Sequence, residues 1–165
     1  MSKVYDDLMA AFAGESQANR KYLAFAKKAD EDGYPQAARL FRAAAAAETV
    51  HALTHLRTAG EVKTTEENLK AAIEGEHYES SVMYPEFLED AKAEGNSKAE
   101  RSFHWANEAE KVHEMLYREA LETLSKPGEQ YDYYICPVCG YTHKRSAPEK
   151  CPVCGAPGSK FEVVK

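Results

Sequence analysis

A chain of 165 residues has room for one good core and a small appendage, at roughly 100–200 residues per domain. Its net charge of −6, with acidic residues spread along the chain, excludes the basic face that nucleic acid would require. Met1 to Ala13 carries Asp6 and Asp7 and lacks the apolar stretch of a signal peptide. No apolar run approaches the ~18 residues of a membrane span, so the expected compartment is the cytosol.

From Lys3 to about Asp32 the residues Leu8, Phe12, Tyr22, Ala26 and Ala29 fall on one helical stripe, with Glu15 and Asn19 between them. Asp32-Gly33 ends this helix. Pro35 suits the first turn of the next, which runs to about Gly60 through Leu40, Phe41, Ala44, Glu48 and His51. Thr64 and Glu67 form a capping box for a third helix, whose inward stripe reads Leu69, Ile73, Glu76, Ser80, Met83 and Phe87. Pro85 within that stripe predicts a kink or a lost backbone hydrogen bond. After a stop at Glu94-Gly95-Asn96, Ser97 and Glu100 predict a second capping box. The fourth helix then carries Phe103, Ala106, Glu110, His113, Tyr117, Leu121 and Leu124, and Pro127-Gly128 closes the helical part.

The first two helices are echoed in the second two. Gly14-Glu15 resembles Gly75-Glu76, and both Gly33 to Glu48 and Gly95 to Glu110 span 15 positions. Glu15 to Glu48 spans 33 positions, whereas Glu76 to Glu110 spans 34. A duplicated helical hairpin accounts for this. Glu79 has no counterpart in the first half, where position 18 is Ala.

Glu48-x-x-His51 and Glu110-x-x-His113 each put a carboxylate and an imidazole on one helical face, able to hold a metal between them. Buried without a partner, a carboxylate costs several kcal/mol or more. These stripes carry Glu15, Glu48, Glu76, Glu79 and Glu110 with no Lys or Arg to neutralise them, so cations must come from outside. Carboxylates with one imidazole per metal suit iron or manganese. His55 fits better as a supporting or surface residue than as a further ligand, and His77, His104 and His143 as rim or solvent-facing residues.

All four cysteines follow residue 135, in two matching knuckles, Cys136-Pro137-Val138-Cys139-Gly140 and Cys151-Pro152-Val153-Cys154-Gly155. In a reducing compartment such cysteines are metal ligands rather than disulfides. Four thiolates around one ion suit zinc or iron. A segment of 35 residues from Tyr131 onward needs such a metal to hold it together.

The segments Phe12-Ala13-Gly14-Glu15-Ser16, Glu48-x-x-His51, Gly75-Glu76-His77-Tyr78-Glu79, Met83-Tyr84-Pro85 and Glu110-x-x-His113, together with the knuckles, resemble those of the rubrerythrins. The resemblance implies a mainly α protein: a ferritin-like di-iron four-helix bundle over 1–128, then a rubredoxin-like domain over 131–165. It implies that Glu48 and Glu110 bridge two irons, that Glu15 and Glu76 are terminal ligands, and that His113 stays on one iron. Glu79 and His51 would exchange on the other, Glu79 when it is ferric. Charge counting agrees: two ferrous ions balance four carboxylates, and two ferric ions favour a fifth. Tyr22 and Tyr84 match tyrosines that line the family's site, although an inner tyrosine is also ordinary core.

Beside such a bundle, iron rather than zinc is expected on Cys136, Cys139, Cys151 and Cys154, relaying electrons. The implied activity is a peroxidase that reduces hydrogen peroxide to water in oxidative-stress defence, supplied by rubredoxin or an NAD(P)H-dependent reductase. A ferritin-like ferroxidase would use the same bundle, and a zinc-ribbon adaptor would explain only the cysteines. A homodimer is expected if a cysteine centre lies too far from its own di-iron site, and the connection from Thr58 to Thr65 permits helix exchange between subunits.

Overall fold

The structure, a computed structural model, describes residues 2–126 and 128–165; the Pro127 part of the expected helical stop lies outside them. The chain divides into two compact units, 1–63 and 64–165. Among the described residues, no helix is long and apolar enough to cross a membrane.

The first unit is a hairpin of α1 (Lys3–Glu31) and α2 (Pro35–Thr58). Ser2 caps α1 through a hydrogen bond from the Tyr5 N–H. At its far end Gly33 takes φ +80°. There the Gly33 and Tyr34 N–H groups reach back to the carbonyls of Asp30 and Ala29, at 3.1 and 2.8 Å. This Schellman closure needs a residue that tolerates positive φ. Pro35 then opens α2, where its missing N–H costs nothing. The seam is made of small residues: Ala38, Ala45 and Ala52, seven apart on α2, are buried, as are Ala26 and Ala29 on α1. Leu40, expected on the inward stripe, is 68% exposed. Two positions beyond Ala38 it is turned by about 200° from the alanine seam.

The second unit contains α3 (Thr65–Tyr78), a π-turn (Glu79–Met83), α4 (Tyr84–Ala93) and α5 (Ser97–Thr123), with α3 and α4 both packed on α5. The capping box forms as expected: Thr64 Oγ1 accepts from the Glu67 N–H, and the Thr64 N–H donates to Glu67 Oε2. The second cap is shifted. Asn96 rather than Ser97 caps α5, its Oδ1 accepting from the Ala99 N–H at 3.1 Å, because Gly95 ends the previous helix in the left-handed region and leaves Asn96 outside the helical region.

The disruption expected at Pro85 appears one turn earlier, as the π-turn. The Tyr84 N–H bonds to the Glu79 carbonyl five residues back, and Pro85 sits in the first turn of α4. This turn accounts for the extra position in the second repeat. Glu15 to Tyr22 is seven positions and Glu76 to Tyr84 is eight. One added residue would rotate everything after it by about 100° in an α-helix. The wider π-turn absorbs that rotation. Its success shows in the rings: Tyr22, Phe25 and Phe41 lie with centroids 5.6–6.4 Å apart, and Tyr84, Phe87 and Phe103, 5.4–6.3 Å apart.

After α5 comes a three-stranded antiparallel sheet, ordered β2 (Thr142–Lys144), β1 (Tyr133–Ile135), β3 (Glu162–Val164). Two loops hang from it, each beginning with a Cys-Pro-Val-Cys-Gly knuckle. Gly158 lies so close to the Pro148 carbonyl that a Cβ there would fall 1.9 Å from its oxygen. The small domain docks on α5 within this unit, where Lys144 Nζ meets the Glu119 carboxylate at 2.5 and 2.6 Å.

Candidate metal centres

The four cysteine sulfurs gather as the spacing predicts. Cys136 and Cys154 sulfurs lie 3.6 Å apart and Cys139 and Cys151 sulfurs 3.5 Å, close to the ~3.8 Å edge of a tetrahedron of thiolates bound at 2.3 Å. All four are free rather than in disulfides. Each knuckle is closed the same way: the Gly140 and Gly155 N–H groups donate to the Cys136 and Cys151 carbonyls, with both glycines at φ near +80°. Burial pushes the Cys139 and Cys154 thiols up, and hydrogen bonds among the sulfurs add to this. Burial also acts upward on Cys151, but backbone N–H donors from Cys154 and Val153 outweigh it and hold that thiol below its usual value. The set fits a soft tetrahedral cation.

In the first hairpin, α1 supplies Glu15 and α2 supplies Glu48 and His51, with one donor atom from each lying within 4.8 Å of the others. His51 Nδ1 is 2.9 Å from Glu48 Oε2 and 3.9 Å from Glu15 Oε1. The second unit repeats this with Glu76 from α3 and Glu110 and His113 from α5. There His113 Nδ1 is 2.6 Å from Glu110 Oε2 and 3.9 Å from Glu76 Oε2. These carboxylate and imidazole donors fit iron or a similar divalent ion. Glu79, at the head of the π-turn, is not in that group of three. Its carboxyl is nonetheless raised above the usual range, by burial and then by the Glu110 charge.

Burial and the hydrogen bond with Glu110 push Glu76 up to about 7. Burial acts the same way on Glu110, but hydrogen bonds from His113 and Glu76 win and hold it low. His113 is raised, chiefly by its bond to Glu110. Tyr84 is half-buried and raised, by burial and then by the charges of Glu110, Glu79 and Glu76. Tyr84 thus faces the carboxylates, whereas the contacts seen for Tyr22 are with Phe25 and Phe41.

Thr142 and Gly140 escaped the sequence reading. His113 Nε2 lies 2.9 Å from Thr142 Oγ1 and 3.2 Å from the Gly140 carbonyl, and the Thr142 hydroxyl donates to that same carbonyl. Nε2 therefore carries a proton, and Nδ1, which meets Glu110 here, is the nitrogen that could turn from that carboxylate to a metal. Leu69, Leu116, Tyr117 and Ile135 enclose this contact in a largely apolar cavity of about 340 Å³. Of the other histidines, His77 bonds Glu114 at 3.3 Å and His143 bonds the Ser146 carbonyl at 2.6 Å.

Helical hairpins bearing a repeated Glu/Glu/His cluster, followed by a four-cysteine domain, define a metalloprotein of the ferritin-like class with a rubredoxin-like tail. Comparison with known proteins gives the family. The rubrerythrin family model matches residues 6–121 and the model for the rubrerythrin rubredoxin-like domain matches 134–162. The chain is 44% identical to nigerythrin of Nitratidesulfovibrio vulgaris, over 94% of this chain and 84% of that one. It is 38% identical to rubrerythrin-2 of Clostridium acetobutylicum, over 96% and 95%. A nigerythrin structure described as fully reduced and all ferrous superposes with a TM-score of 0.60 at 39% identity, covering 99% of this chain and 88% of that one. The chain belongs to the rubrerythrin family, mainly α, with a ferritin-like domain and a rubredoxin-like domain.

Proposed function

We propose that the protein is a non-haem di-iron peroxidase that reduces hydrogen peroxide to water and receives its electrons through iron on the four cysteines. The observation that carries this reading is the contact between tail and half-site. Cys139 is covalently continuous with Gly140, whose carbonyl accepts from His113 Nε2–H. One hydrogen bond separates the sulfur ligand set from an imidazole of the carboxylate set. A storage protein has no use for such a relay.

Bound iron supplies one-electron reductants and a Lewis acid for the O–O bond. The chain's own residues do the rest. Glu15 and Glu48 in one half, and Glu76 and Glu110 in the other, would hold iron through carboxylates, and His113, pinned by Thr142 and Gly140, through a fixed imidazole. Glu79 and His51 would be the two ligands able to exchange, and the greater exposure of His51, 54% against 25% for His113, suits such a role. Each hydrogen peroxide takes two electrons and two protons to give two waters. Tyr84, facing the carboxylates, is the tyrosine positioned to hold a proton there; Tyr22 completes the corresponding ring cluster. Rubredoxin or an NAD(P)H-dependent reductase is the proposed donor, and the cytoplasm the proposed compartment.

Because Gly140 reaches His113 within one chain, a head-to-tail dimer is not needed for that contact. Homodimerisation, with or without helix exchange, remains part of the proposal and is tested by analytical ultracentrifugation.

The function is tested by anaerobic stopped-flow absorption of fully reduced, iron-loaded protein mixed with one equivalent of peroxide. Thiolate-to-iron charge-transfer bands should grow rapidly, and Glu48→Ala should abolish the growth. Faster reoxidation by oxygen than by peroxide would favour a ferroxidase, and zinc on the cysteines with an inert bundle would refute the relay.

A further inference from the structure

The two hairpins differ most at one level, about a turn from the carboxylates. In the first, Asn19 on α1 donates through Nδ2 to the Ala45 carbonyl at 2.7 Å and to Thr49 Oγ1 at 2.9 Å, tying α1 to α2. Counting along the repeat, Ala45 corresponds to Asn107, and Asn19 to Ser80 or, with the added residue, Ser81. The second hairpin has therefore moved its carboxamide to the other helix. Neither serine is shown to answer it, for both hydroxyls donate to the His77 carbonyl on their own helix.

Asn107 is left short of a donor. It is 7% exposed, and its Oδ1 is the one buried side-chain N or O atom without a hydrogen-bond partner among the described residues. A buried acceptor that has given up water and gained nothing is disfavoured, and native proteins seldom keep one. Asn107 stands three residues before Glu110 on α5, so the two share a helix face. Opposite α5 at this level is the π-turn, which carries one residue more than α1 does and is wider than an α-helical turn.

We propose that Asn107 Oδ1 accepts a hydrogen bond from a small hydroxylic molecule seated between α5 and the π-turn, water in the resting protein and hydrogen peroxide in turnover. Both offer an O–H donor at the size of one or two heavy atoms. The peroxide half of this proposal rests on the peroxidase reading; the hydroxylic niche itself does not. Asn107 thus acts as a substrate-positioning residue whose counterpart in the first hairpin is an alanine with no such task.

The test combines high-resolution crystallography of the metal-loaded protein with steady-state peroxide kinetics, on the native chain, Asn107→Ala and Asn107→Ser. Alanine already occupies the equivalent place in the first hairpin, so the fold has a precedent for it. An ordered oxygen should appear about 2.7–3.0 Å from Oδ1 in the native protein and vanish in Asn107→Ala. KM for peroxide should rise roughly fivefold to tenfold, the worth of one hydrogen bond, with kcat within about twofold, and Asn107→Ser should recover part of the loss. An ordered oxygen with KM unchanged assigns the niche to structural water and overturns the peroxide half. No ordered oxygen, with KM unchanged, overturns the whole. If the native protein turns over no peroxide, the peroxidase reading has failed, and the density alone decides whether the niche holds a hydroxylic donor.

Discussion

The two halves of the helical part carry the same parts and use them differently. Glu15, Tyr22, Phe25, Phe41, Glu48 and His51 are matched by Glu76, Tyr84, Phe87, Phe103, Glu110 and His113. In the first half-site the histidine is 54% exposed and, among the described residues, pairs with Glu48 and Glu15 through Nδ1. In the second it is 25% exposed and held at both nitrogens. Duplication supplies a symmetric ligand set. The inserted residue of the π-turn, Glu79, Asn107 and the docked tail then make one half different from the other.

The most severe way to break this difference is to remove the tail's metal. Cys151→Ser deletes one of four sulfurs in a small domain without disulfides, and metal binding in such domains supplies on the order of 10 kcal/mol of folding free energy. Residues 133–164 should lose their amide dispersion in NMR spectra while helical circular dichroism persists. His113 would then lose the partners at Nε2, and its imidazole would be held at Nδ1 alone, as His51 is. Retained dispersion would show that the tail folds without its metal.

A gentler change targets the contact alone. Thr142→Val removes the hydroxyl that accepts from Nε2–H and leaves the Gly140 carbonyl in place. Losing one such supporting partner should weaken iron binding by about tenfold, read by competition against a chelator. The four-cysteine absorption should be unchanged, because the sulfurs are untouched. Equal affinity in the variant would mean that Gly140 alone fixes the imidazole.

Much of this could be read from the residues. Gly33 and Gly95 marked helix ends because their φ values are positive, Thr64 and Glu67 announced a cap, and the knuckle spacing gathered four sulfurs. The π-turn was hidden because Glu76, Ser80, Met83 and Phe87 keep α-like spacings of three and four, so the stripe looks unbroken. Its traces were Pro85 and the count of 34 against 33. The His113 contacts with Gly140 and Thr142 join residues 27 and 29 positions apart through the docking of a separate sheet, which no local periodicity encodes. Asn107 reads as an ordinary polar residue until its burial is seen and its repeat partner proves to be Ala45.

The smallest expected effect concerns protons in the metal-free protein. Glu76 is raised to about 7 from 4.5, so between those values the folded state binds a proton that the unfolded chain has released. Its contribution is therefore lost as pH rises through the folded value. His113, also raised, acts in the same direction: its stabilisation is present below the unfolded value near 6.5 and lost above the folded one. Glu110, held low, contributes above the unfolded value of 4.5 and loses that contribution as pH falls through its folded value. Metal-free protein should thus be most stable close to the unfolded carboxyl value of 4.5 and weaken toward pH 8 by on the order of 1 kcal/mol after solvent screening of these partly exposed groups. Chemical denaturation of metal-free protein at pH 5.5 and 8.0 measures it. Glu76→Gln should flatten the slope, because the amide keeps the hydrogen bond to Glu110 without a proton to lose.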